Sequence, residues 1–151
     1  MKKTTRILTF ILLAVLCLVT LTSCGKYNAL RKAFEEEGYE ENQTVEGVAA
    51  DIKKEIEKDE VTVNVHILTN TSATLKPSVM IIEFKATEDL VNAYKDSSTM
   101  QGLVKDVQNS EDVKAVYQSL VDAGHAKGNC LCIPLSLAYY KDITKIVKSV
   151  K

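Results

Sequence analysis

The chain has 151 residues, 46% of them hydrophobic and 26% charged, with no Trp, two Pro and no Ser/Gly-rich or repetitive tract, a composition that excludes a disordered stalk. Twenty acidic residues against 19 basic ones give a formal charge of −1, so there is no electrostatic case for binding nucleic acid.

The first element is MKKTTRILTFILLAVLCLVTLTSC. Lys2, Lys3 and Arg6 make a short positive start, an apolar run extends from Ile7 to about Leu18, and Leu21-Thr22-Ser23-Cys24 follows. That is the layout of a secretory signal with a cysteine where an ordinary cleavage site would end. The segment resembles a bacterial lipoprotein signal, Leu21 to Cys24 matching the lipobox. The resemblance implies a signal peptide over 1–23, cleavage before Cys24 and lipid on that residue. Residues 24–26 would then be the lipidated cysteine and a very short tether. Residues 27–151 would form a single domain on the extracytoplasmic face of a cell membrane. The alternative is an uncleaved anchor helix from Ile7 to Leu21, although crossing hydrocarbon takes about 20 apolar residues. Cleavage would leave 16 basic residues against 20 acidic ones, a charge of −4 with no evident polybasic run, so attachment is expected through covalent lipid.

Helical spacing begins almost at once, with Tyr27, Leu30 and Phe34 on one stripe and Gly38 as the stop. Glu35 to Glu37 read as solvated surface. After a loop with Thr44 as N-cap, Val45, Val48, Ala49, Ile52 and Ile56 trace a second helix. The period then becomes two. Val61, Val63, Val65 and Ile67 alternate with Thr62, Asn64, His66 and Leu68, which predicts a half-buried strand. A turn-like stretch leads to a second strand, Ser78 to Lys85. Thr87-Glu88-Asp89 opens a helix using Leu90, Val91 and Tyr94, and a further helical piece carries Met100, Leu103, Val104 and Val107. Ser110 is expected to cap the next helix, with Val113, Val116, Tyr117, Leu120 and Val121 inward and Gly124 as its stop. A short strand over Asn129 to Ile133 ends at Pro134. Ser136 then starts a last helix with Leu137, Tyr140, Ile143, Val147 and Val150. The order α-α-β-β-α-α-β-α predicts an α+β domain: a small three-stranded, at least partly antiparallel sheet with helices on one face.

Candidate chemistry is thin. Cys17 leaves with the signal and Cys24 takes the lipid, so Cys130 and Cys132 alone remain for the domain. On a strand they point to one side, too far apart for an unbent disulfide, and free cysteines at such positions pack as small apolar groups. No phosphate loop, nucleophile elbow or metal-ligand spacing is present, so no catalytic residue, metal or cofactor is expected. His125 near a helix end is explained by the dipole. The expected function is a membrane-anchored envelope lipoprotein that binds a partner or ligand near the membrane without catalysis. Its contact surface is expected on the sheet face free of helices, at Thr62, Asn64, His66 and Leu68 together with Ile81, Glu83 and Lys85, with Tyr139, as the more exposed of the tyrosine pair, a further contact candidate. The alternative is a small envelope enzyme or thiol-redox protein using Cys130 and Cys132. A third possibility is a subunit of a larger envelope complex.

Overall fold

The computed structural model describes residues 26–42, 47–58 and 61–151. Cys24, the rest of the expected signal and Thr44 lie outside them. The elements are α1 (26–36), β1 (Tyr39–Asn42), α2 (Val48–Glu57), β2 (Asn64–Asn70) and β3 (Ser78–Glu83). They continue with α3 (Thr87–Asp96), α4 (Ser98–Leu103), α5 (Val113–Ala123), β4 (Ala126–Lys127), β5 (Cys130–Pro134), a 3₁₀ turn (Leu137–Tyr139) and α6 (Tyr140–Ser149).

The α+β class holds, but the sheet has five strands instead of three and a different element order. The strands lie in the order β1-β2-β3-β5-β4, every neighbouring pair antiparallel. Both additions are edge strands. β1 reads YEEN and buries only Tyr39; its exposed carboxylates suit a sheet edge and hide it from a search for alternating apolar residues. β4 is two residues long, too short to show any period.

A second correction concerns the layers. Helices cover both faces of the sheet. On one side Ile67, Met80, Ile82, Leu131 and Ile133 meet α2 through α5, with Val61, Val63 and Val65 packed against them, as the alternation over 61–67 implies. On the other side Leu68, Val79, Ile81, Cys130 and Cys132 meet α1 and α6. Helix α1 contributes Tyr27, Leu30 and Phe34 to this second core, and α6 contributes Ile143 and Val147. The helix that follows the expected lipid site is therefore one layer of the domain.

Several helix ends differ in detail from expectation. The cap of α5 is Asp112, whose carboxylate accepts from the Lys114 amide, while Ser110 accepts from Asp112. Ser136 instead ties the end of β5 to β3 by accepting from the Ser78 amide. Pro134 is the last residue of β5, at a level β4 does not reach, so its missing N–H leaves no ladder bond open. Gly124 does end α5, in the left-handed conformation at φ 84°. Its amide donates to Val121, and the His125 amide donates to Leu120 at 2.8 Å, closing a Schellman-type turn.

Candidate functional site

That turn places His125 in the interior. Its side chain is fully buried, and its neighbours determine which nitrogen holds the proton. Nδ1 lies 3.0 Å from the Cys132 carbonyl oxygen, which can only accept, so Nδ1 bears the hydrogen. Nε2 is then bare and accepts from the Tyr140 hydroxyl at 2.5 Å. That same hydroxyl accepts from the Lys105 amide at 2.6 Å. The chain of donors links the loop after α4 to α6 and then to β5. Burial holds the imidazole below its ordinary range, against the opposing effects of the Cys132 carbonyl and Asp106.

Tyr140 is also the inner wall of a groove of about 1120 Å³ between α5, α6 and the 105–108 loop. Lys105, Lys148, Asp106 and Asp122 give it both signs of charge, Gln118 and Ser119 give neutral donors and acceptors, and Leu137 at one end is 75% exposed. The Lys105 ammonium stands 5.3 Å from the centre of the Tyr140 ring. A groove of this composition suits a ligand with charged groups of both signs and some apolar surface.

The residues expected at a contact surface are placed differently. Thr62 and Asn64 are exposed, but they sit at one end of the sheet. Leu68 is 0% exposed beneath α1 and can touch no partner in this fold. His66 is covered as well: the Tyr27 ring stacks on it at 3.7 Å, and Nδ1 donates to Glu41 at 3.1 Å. Its Nε2 faces Glu83 at 3.9 Å without a hydrogen bond. The bond from His66 holds the Glu41 carboxyl below the usual carboxylate range, and burial raises the Tyr27 phenol. The tyrosine pair is exchanged relative to expectation. Tyr139 packs against the α1/α6 core and Tyr140 lines the groove. No local pattern shows this, because the groove is assembled from three separate segments, 105–108, 115–123 and 137–148.

Cys130 and Cys132 are free, fully buried thiols on the α1/α6 side of the sheet. Burial pushes Cys130 up to about 12 and Cys132 higher than normal as well, so neither supplies thiolate near neutral pH. The Cys130 thiol points at the Asn129 side-chain oxygen, 3.9 Å away, and the imidazole of His125 bonds the Cys132 carbonyl instead of a sulfur. A maleimide is expected to label both residues only after denaturation. Rapid labelling of either in the native protein would restore the redox reading. Among the described residues no three His, Cys, Asp or Glu side chains converge on a metal position.

His125 also makes an acid-side prediction. The unfolded chain takes up its proton near pH 6.5, whereas the folded site resists until lower pH. Its contribution is therefore complete above about pH 6.5 and is lost as pH falls through the depressed folded value. Urea midpoints are expected to fall between about pH 7 and pH 5 in the wild type, and much less in His125→Gln. Glu41 adds a separate loss only in the carboxylate range, as pH falls below its ordinary 4.5. Equal slopes for wild type and variant above that range would show that His125 is not the titrating group.

Among the described residues no helix is long and apolar enough to cross a membrane. Comparisons with protein-family models, with curated proteins and with solved structures give no match to this chain.

Proposed function

We propose that the chain is a lipid-anchored envelope protein, held through Cys24 on the extracytoplasmic face of a cell membrane, whose domain binds a ligand or partner in the groove between α5 and α6. The observation that carries the binding half is the state of Tyr140 on the groove wall and of the buried His125 behind it. Both nitrogens of His125 and the hydroxyl of Tyr140 are already committed to one another, to Cys132 and to Lys105. They hold a wall in place, and the side chains left to meet a ligand are those that bind, such as Lys105, Lys141 and Lys148. The anchoring half is supported by the sequence 21–24, and because α1 is already helical at residue 26 and belongs to the fold, an anchor at Cys24 would hold the domain with almost no tether.

Mass measurement of the mature N-terminus tests the anchor. The expected species lacks residues 1–23 and has a diacylglyceryl group on Cys24, and Cys24→Ala is expected to leave the membrane fraction with its precursor uncleaved. An intact Met1 in the wild type, or an unmodified Cys24, would end the lipoprotein reading. Filling the groove tests the binding. Ala115→Trp, at an exposed position of α5 lining the groove, is expected to fold and to lose whatever the wild type captures from envelope extracts, and undiminished capture would move the site elsewhere.

A further inference from the structure

The first residue of α1 meets two segments that are remote in sequence. The Lys26 ammonium donates to the Lys151 carbonyl at 3.3 Å. The Lys26 stem also lies across Gly128 in the β4–β5 turn, so closely that a Cβ there would come within 2.6 Å of it. Gly128 is held in turn by Tyr117, whose hydroxyl donates to its carbonyl at 2.9 Å. The β3–α3 connection joins the same end, because the Phe84 amide donates to the Asn129 carbonyl at 2.9 Å. Three lysines thus have their main chain at one corner that no linear run reveals: Lys26, half-buried Lys127 next to the turn, and exposed Lys151, whose main-chain oxygen accepts from the Lys26 ammonium. Exposed Lys85 follows Phe84 at the same end of the sheet. Among the described residues the acids nearest Lys85 in sequence are Glu83, which is turned inward to Asn64 and His66, and the exposed Glu88, while Asp122 is nearest Lys127 and Asp142 nearest Lys151.

We infer that this end of the domain, bearing Lys26, Lys127 and Lys151, is a docking surface for anionic phospholipid headgroups and fixes the orientation of the domain on the membrane. The inference rests on lipidation of Cys24. Only Gly25 lies between Cys24 and Lys26, and two peptide steps span at most about 7 Å. An anchored Cys24 therefore brings the start of α1 to headgroup level, and α1 cannot swing away without leaving the core it forms with Phe34 and Leu30. The lysines gathered there meet a surface of opposite charge, although the domain as a whole is acidic. The opposite end of the sheet, with the 71–77 connection, Leu75 and Lys76, then faces away from the bilayer. Helix α6 runs from that distal end, where Ser136 meets Ser78, down to Lys151, so the groove along it opens sideways.

Lysine acylation read by mass spectrometry tests this on the mature lipidated protein. It is reconstituted in vesicles of phosphatidylcholine, with or without phosphatidylglycerol, and compared with the same protein in neutral detergent. Lys26, Lys127 and Lys151 are expected to be protected in vesicles, more so with phosphatidylglycerol and less so in high salt, while Lys76 stays as reactive as in detergent. Each lysine at an anionic surface shifts the docked population by roughly fivefold. Lys26→Glu combined with Lys127→Glu should stay anchored and lose the protection of Lys151. Vesicle-bound protein with all four lysines equally reactive would overturn the orientation and leave the anchor standing. Protein that fails to float with vesicles, its Cys24 unmodified, would overturn the anchor and this surface with it.

Discussion

Phe34→Ala is expected to destabilise the domain by about 3–5 kcal/mol. Phe34 is fully buried, at the centre of the face that α1 lays on the sheet, and its ring meets Tyr39 edge-on with centroids 5.2 Å apart. Truncation would remove the ring's transfer energy and open a cavity between α1, β1 and β2. Domains of this size are stable by only about 5–15 kcal/mol, so the loss takes a large share of the total. The chain has no Trp, so urea unfolding is best followed by circular dichroism. If α1 were a tether outside the fold, the same substitution would change the midpoint by under about 0.5 kcal/mol. The experiment therefore decides whether the segment from residue 26 on is linker or core.

Gly124→Ala has the second largest expected effect, roughly 2–4 kcal/mol. Two costs add at this residue. An L side chain is disfavoured at φ 84°, and the new Cβ would stand 2.6 Å from the Thr144 carbonyl and 2.9 Å from the Thr144 Cβ. The first atom belongs to the backbone of α6 and can yield only if the helix moves. Moving α6 would pull Tyr140 from His125, so the groove wall should loosen together with the loss of stability. Gly102→Ala is the matched control. Gly102 lies in α4 with negative φ and nothing within 4 Å of the added Cβ, so alanine there should be neutral or stabilising by up to about 1 kcal/mol. Equal effects at the two glycines would remove the case that Gly124 sets the α5–α6 spacing.

Exposed ion pairs carry little of this stability. Arg31 and Glu35 meet at 2.7 Å on the outer side of α1, and Lys53 and Glu57 at 3.7 Å on α2, but such pairs contribute a few tenths of a kcal/mol. The burial of two apolar layers against one sheet outweighs them.

The amino-acid sequence by itself determined the local periods. The alternation over Val61 to Leu68, the apolar run after Ser78 and the strand before Pro134 are legible because a strand's side chains alternate between faces. The stripe of Tyr27, Leu30 and Phe34 and the stop at Gly124 are equally local, since helix spacing and a left-handed cap each depend on a few adjacent residues. Tertiary structure alone decided what those stripes pack against. The period shows that α1 buries one face, but not that this face covers Leu68 and His66 and so removes the surface expected there. It also decided the edges, because YEEN and Ala126–Lys127 become strands only beside β2 and β5. The groove and the lysine corner have the same origin. Lys105, His125 and Tyr140, like Lys26, Lys127 and Lys151, are brought together by layer packing across long stretches of chain, and no short-range rule of spacing encodes such meetings.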